Sequence, residues 1–93
     1  MRLRYYLDEQ TGEPHIYNHK VAEHEVEEVL LAAIEDRPAR QGSRMAVGQT
    51  EAGRYLRVIY VPDLEPDSAF VITAYDVGPK ALRALKRRRR RKQ

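Results

Sequence analysis

The most constraining feature of this 93-residue chain is that its basic residues are concentrated in the C-terminal segment, because that segment can contribute little to a hydrophobic core. Nine of the 17 Lys and Arg residues lie between Lys80 and Gln93, and that segment has no acidic residue. Residues 1–79 therefore hold eight basic and all 14 acidic residues, a net charge of −6. We expect one domain over residues 1–79 and, over residues 80–93, a basic helix or tail that binds a polyanion.

The amino-acid composition argues against a membrane-spanning, a secreted or a disulfide-bonded protein. An apolar share of 42% fits a globular domain. No apolar stretch approaches the roughly 18 residues of a membrane span, and the N-terminus lacks the apolar core of a secretory signal. The chain has no cysteine, which excludes disulfides, thiolate metal ligands and cysteine nucleophiles. We therefore expect a cytoplasmic protein that does not associate with a membrane.

The pattern of apolar residues predicts an α+β domain. Residues 22–35 carry apolar side chains three and four residues apart, which indicates an amphipathic helix. Short loops between the strand candidates favour a small antiparallel sheet of three to four strands, with helices on one face. The predicted strands cover residues 2–7, 44–49, 54–61 and 69–75, and the last helix begins at Gly78-Pro79. The predicted core contains Val26, Val29, Leu30, Ile34, Leu56, Val58, Tyr60, Phe70 and Ile72.

The three histidines, His15, His19 and His24, lie close together in the sequence. They are candidates for acid–base groups or metal ligands, and they are equally typical of histidines that only pack and hydrogen-bond. No extended metal motif surrounds them, so we expect no metal and no cofactor. The chain also lacks a glycine-rich phosphate loop and a serine-nucleophile motif.

The basic C-terminus is the strongest signal of a binding function. If it is helical, cations three and four residues apart form a row that follows a phosphate backbone. A solvated tail, a tail folded back on the acidic 22–35 helix and a tail bound to an acidic partner are alternatives. The predicted nucleic-acid-binding residues are Arg83, Lys86, Arg87, Arg88, Arg90 and Arg91.

The order of several short motifs resembles the BrnT-type toxins of bacterial toxin–antitoxin systems, within the RelE-like superfamily. The similar segments are Tyr6–Asp8, Asn18–Val21, Glu25–Leu30, Arg44–Thr50, Gly53–Val58 and Val71–Tyr75, followed by a basic helix. The family has an arginine where this chain has Tyr75, a glycine near Ala22, and a different terminal helix.

This resemblance implies a RelE/BrnT-like fold and a small ribonuclease that cuts mRNA without a metal and is silenced by a cognate antitoxin protein. Such chemistry needs a base, an acid and a cation for the developing phosphate charge. The predicted catalytic residues are Arg54, Tyr75, Lys80, His19 and Arg44. Because the start of one antiparallel strand lies beside the end of the next, we expect Arg54 and Tyr75 at one rim of the sheet, with Lys80 close behind. His19 is favoured over His15 as the base. A non-catalytic nucleic-acid-binding module and a protein-interaction module on the same scaffold are the competing hypotheses.

Overall fold

The computed structural model describes residues 1–91. Strands and helices alternate along the chain, and two short 3-10 helices lie between them. The order is β1 (Arg2–Tyr5), a 3-10 helix (His15–His19), α1 (Glu23–Leu31), β2 (Glu35–Pro38), a 3-10 turn (Arg40–Gly42), β3 (Arg44–Gln49), β4 (Tyr55–Pro62), β5 (Ser68–Asp76) and α2 (Pro79–Arg91). None of the helices in this range is both long and apolar enough to cross a membrane.

The strands form one five-stranded mixed sheet in the order β1-β5-β4-β3-β2. The α+β class is confirmed, but the sheet is larger than the predicted three to four strands and is not wholly antiparallel. Strand β1 runs parallel to β5, whereas β2, β3, β4 and β5 pair antiparallel in succession. The parallel pair is possible because everything from the first 3-10 helix to β4 serves as its crossover. The fifth strand is β2, and its Pro38 suits an edge position.

Helix α1 packs on one face of the sheet through Val26 and Val29, which are fully buried. Gly48 of β3 permits this close approach, since a Cβ there would lie 3.1 Å from Val29 Cγ1. Glu25 helps to start the helix by accepting a hydrogen bond from the Ala22 N–H at 3.0 Å. The helix ends at Leu31, earlier than predicted, because the chain turns there to pair with β3.

The core lies between α1, the first 3-10 helix and the sheet. Leu56 and Val58 are buried in it as predicted, and Leu30 and Tyr60 are partly buried against it. Phe70 was also predicted in this core, but it pairs with Arg4 of β1 and faces the other side of the sheet. The buried cluster is Ile16, Val21, Val26, Val29, Ala46, Leu56, Val58, Val71 and Ala74.

Helix α2 lies on the opposite side of the sheet from α1, which corrects the prediction of helices on one face. We call that side the outer face. Leu85 of α2 is buried, and Lys86 Nζ lies 5.7 Å from the ring centroid of Tyr55. Arg88 Nε and Nη2 donate to the two carboxylate oxygens of Glu35 at 2.7 and 2.9 Å. Helix α2 therefore packs on the outer face of the sheet as part of the folded domain.

The Arg88–Glu35 pair should hold α2 on the sheet only above acidic pH. The hydrogen bond from Arg88, with a smaller one from Arg37, lowers the pKa of Glu35. The stabilisation by the Arg88–Glu35 pair is therefore complete above the ordinary glutamate pKa of about 4.3. It is lost as the pH falls through the lowered pKa of Glu35. We expect Arg88→Ala to weaken the docking of α2, detected at pH 7 by NMR of the Leu85 methyls. Arg90→Ala is the matched control, and an equal effect of both variants would contradict the assignment.

Candidate active site

The candidate site lies where β1 stops short of the end of β5. Strand β1 pairs with β5 only as far as Val71, so the second half of β5 is left without a strand partner on that side. The first 3-10 helix occupies this position, and its buried Ile16 anchors it to the core. It ends at His19, and the next residue, Lys20, has a left-handed φ of 59° that lets its N–H bond back to the helix carbonyls. His15 and His19 are thereby fixed beside the end of β5.

Two histidines and a tyrosine form a continuous row at this rim. The ring centroids of His15 and His19 are 5.4 Å apart, and those of His19 and Tyr75 are 5.9 Å apart, both edge-on. Tyr6 approaches His15 from the other side at 6.1 Å. The third histidine, His24, lies on α1 and is exposed. The predicted pair His19 and Tyr75 is thus brought into contact, and His15 joins it.

Asp8 fixes the outer end of this row. Its Oδ1 accepts the Gln10 N–H at 2.8 Å, and its Oδ2 accepts from Asn18 Nδ2 at 2.8 Å. These bonds, led by the one from Gln10, lower the pKa of Asp8 and keep its carboxylate ionised. His15 Nδ1 lies 3.4 Å from Asp8 Oδ2. A proton on Nδ1 therefore points to Asp8, which leaves Nε2 for chemistry.

Arg54 lies at the same rim, as predicted, but its guanidinium is directed inward. It donates to Asp76 at 2.7 and 3.0 Å, to Glu25 at 3.0 Å, and to the carbonyls of Lys20 and His19 at 2.7 and 3.1 Å. The ion pair lowers the pKa of Asp76. Arg54 therefore ties the first 3-10 helix and α1 to the end of β5, and its five hydrogen bonds occupy it within the protein.

Arg57 is the cation that does face Tyr75, and the sequence analysis missed it. It pairs directly with Tyr75 across β4 and β5, and its Cζ lies 6.0 Å from the centroid of the tyrosine ring. Arg57 is half-buried, and among residues 1–91 no side chain or carbonyl accepts a hydrogen bond from it. We call Asp8, His15, His19, Tyr75 and Arg57 the rim cluster.

Within residues 1–91 Arg57 has no acidic partner, and among the arginines of residues 1–79 it shares this only with Arg40, which is exposed, whereas Arg57 is half-buried. Burying a cation without a carboxylate costs free energy, so such a position is typical of an anion site. The signal in the sequence was an arginine within an apolar strand, directly across from a tyrosine. The paired arginines and their acidic partners are Arg2 with Glu65, Arg4 with Asp63, Arg37 with Glu35, Arg44 with Asp36, and Arg54 with Asp76 and Glu25.

The structure does not bring Arg44 to the rim cluster. Arg44 pairs across the sheet with Tyr60, five residues along β4 from the Tyr55 end, or about 17 Å. Its Nε donates to Asp36 at 2.9 Å, and Tyr60 donates to the same carboxylate. Lys80 lies in the first turn of α2, just after the end of β5, and is exposed.

The basic residues of α2 from Lys80 to Arg90 are all exposed, including Lys86 and Arg88, which contact the sheet. Arg88 binds Glu35, the last residue of the predicted 22–35 helix, so the tail does fold back on that acidic segment, although Glu35 lies in β2 and not in α1. Arg83, Arg87 and Arg90 point to solvent. The backbone of Arg91 ends the helix, while its side chain and residues 92–93 lie outside the described part of the chain.

No group of three or more histidine, aspartate or glutamate side chains within residues 1–91 is arranged to hold a metal ion. The rim cluster combines two imidazoles, a phenol and a guanidinium at one exposed edge. These groups transfer protons and bind an anion, which are the requirements of phosphoryl or acyl chemistry.

The chain belongs to the family described as a domain of unknown function, DUF4258, which it matches over residues 16–76. The matched segment runs from the first 3-10 helix to the end of β5, so it includes every residue of the rim cluster except Asp8 and His15. No curated protein and no solved structure matches the chain.

Proposed function

We propose that this protein is a ribonuclease that cleaves RNA at the rim cluster without a metal. The observation that carries the proposal is the position of Arg57, a half-buried cation without a carboxylate partner, over the Tyr75 ring. That ring contacts His19, which in turn contacts His15. A phosphate bound by Arg57 therefore has proton-transfer groups beside it.

The chemistry needs only groups that the cluster contains. His19 removes the proton from a ribose 2′-hydroxyl, whose oxygen then forms a bond to phosphorus. Arg57 stabilises the negative charge that develops on the phosphate oxygens, and Tyr75 donates a hydrogen bond to it. The P–O5′ bond breaks, and His15, protonated and oriented by Asp8, gives its proton to the leaving oxygen. The products are a 2′,3′-cyclic phosphate and a 5′-hydroxyl.

The C-terminal helix supports RNA as the substrate. Exposed Arg83, Arg87 and Arg90 lie three and four residues apart, and α2 begins just after the strand that carries Tyr75. Cations on one helix bind phosphates without reading sequence. The resemblance to BrnT-type toxins adds a RelE/BrnT-like fold, mRNA as target, a cytoplasmic location and a cognate antitoxin to this proposal. An antitoxin that binds this chain and stops cleavage is the expected partner.

The direct test is cleavage of a labelled RNA by the purified protein in the presence of a chelator. We expect cleavage to persist in excess EDTA, and mass spectrometry to show fragments that end in a 2′,3′-cyclic phosphate. The same oligonucleotide with a deoxyribose at every position is the control, because it lacks the nucleophile and should stay intact. Loss of cleavage with the chelator, or fragments that carry a 5′-phosphate, would contradict the mechanism.

The competing hypothesis is a nucleic-acid-binding module without catalysis, which the exposed arginines of α2 favour. It predicts RNA binding with a steep salt dependence and no cleavage by well-folded protein. Intact RNA in the assay above, together with tight binding, would select this alternative.

A further inference from the structure

We infer that the outer face of the sheet binds single-stranded RNA, with Arg4 and Phe70 forming a base-stacking subsite distant from the rim cluster. The inference rests on the proposed function, because it names the form of RNA that the rim cluster acts on. It adds a binding subsite along β5 that takes no part in the cleavage reaction.

The outer face carries every contact between a cation and an aromatic ring that residues 1–91 make. On β1 and β5 the alternate positions Leu3 and Val71 face the core, so Arg4 and Phe70 face outward. Position 75 faces outward in the same way, because Ala74 is buried in the core. The three contacts are Arg4 over Phe70 at 5.4 Å, Arg57 over Tyr75 at 6.0 Å and Lys86 over Tyr55 at 5.7 Å.

Rings and cations interleaved on a sheet surface are typical of single-strand recognition. Helix α2 packs over the outer face at Tyr55, so the surface offered to RNA is the part formed by β1 and β5. Unstacked bases lie flat on aromatic rings and on guanidinium planes, while neighbouring cations bind the phosphates. Arg4 donates to Asp63 at 2.6 Å and lies over the Phe70 ring, which leaves the guanidinium face turned away from Phe70 for stacking. A duplex hides its base faces inside the helix, so it cannot use these contacts.

The spacing indicates the length of RNA involved. Phe70 and Tyr75 are five residues apart on β5, or about 16 Å at about 3.3 Å per residue. Even a stacked strand, which advances only about 3.4 Å per nucleotide, would need roughly five nucleotides for this distance, and an unstacked, more extended strand needs fewer. We therefore expect an oligonucleotide of ten nucleotides to reach both subsites and one of three nucleotides to reach only one.

The test is the binding of 2′-O-methyl RNA, which the protein cannot cleave, measured by fluorescence anisotropy. We expect the wild-type protein to bind a single-stranded 10-mer at least about tenfold more tightly than the same strand annealed to its complement. Phe70→Leu should weaken binding of the 10-mer by about 5- to 100-fold and leave a 3-mer placed at the rim cluster unaffected. Phe70→Tyr keeps a ring and should restore the affinity. Tyr17→Leu, at an exposed ring on the first 3-10 helix, is the matched control.

Several results would overturn the inference. These are equal affinity for the single strand and the duplex, no binding of either, or an unchanged affinity of Phe70→Leu when circular dichroism shows a native fold. Cleavage of ordinary RNA is scored separately in the wild-type protein. Cleavage without single-strand preference would keep the proposed function and remove this subsite, whereas single-strand binding without cleavage would do the reverse.

Discussion

Replacing His19 with glutamine should lower the rate of RNA cleavage by about 10²- to 10⁴-fold, the usual contribution of one general acid–base group. Glutamine has a similar reach and can hydrogen-bond, but it cannot take up the 2′-hydroxyl proton. His19 is exposed, so the fold should not change. The measurement is the single-turnover rate at saturating protein, which separates chemistry from binding.

His24→Gln is the matched control for this prediction. His24 is also exposed but lies on α1, away from the rim cluster, and its replacement should leave the rate unchanged. Equal rates of His19→Gln and wild type would remove His19 from the mechanism.

Local pattern was sufficient to predict the parts of the fold that have one apolar side. Val26 and Val29 were placed in the core by helical periodicity, and the alternation of β4 correctly separated Leu56 and Val58 from Tyr55 and Arg57. Strand β2 escaped prediction because Glu35–Pro38 is polar and becomes a strand only by pairing with β3. Nothing local to β1 indicates its parallel partner, which lies more than sixty residues further along the chain.

The positions of the site residues in the fold were more predictable than the directions in which their side chains point. Antiparallel pairing was enough to put Arg54 and Tyr75 at one rim, because the start of β4 lies beside the end of β5. The acceptors that turn Arg54 inward come from Glu25, Asp76 and two carbonyls, and no short sequence window contains them. For Arg57 the reason is the opposite one. It can bind an anion because no carboxylate of residues 1–91 pairs with it, and a sequence does not show such an absence.

Arg54→Ala should destabilise the fold by about 2–4 kcal/mol, because it removes five hydrogen bonds and leaves two carboxylates without their cation. The measurement is urea unfolding at pH 7. The pair lowers the pKa of Asp76, so its stabilisation is present above the ordinary aspartate pKa of about 3.9 and is lost as the pH falls through the lowered value. Arg54→Ala should lack this acid-dependent part. Arg44→Ala breaks an ion pair to Asp36 alone and should destabilise the fold much less than Arg54→Ala does.

Arg57→Ala should have the opposite effect to Arg54→Ala. Its stability should stay close to that of the wild type, and its cleavage rate should fall about 10²- to 10³-fold. No carboxylate in residues 1–91 depends on Arg57, so its removal costs only the contact with the Tyr75 ring, about 1 kcal/mol or less. Removing the cation should slow chemistry because the charge that develops on the phosphate is then stabilised by Tyr75 alone. Arg57→Lys keeps the charge and should recover part of the rate. If Arg54→Ala stayed fully stable and lost the rate while Arg57→Ala kept it, the phosphate site would have to be assigned to Arg54 instead.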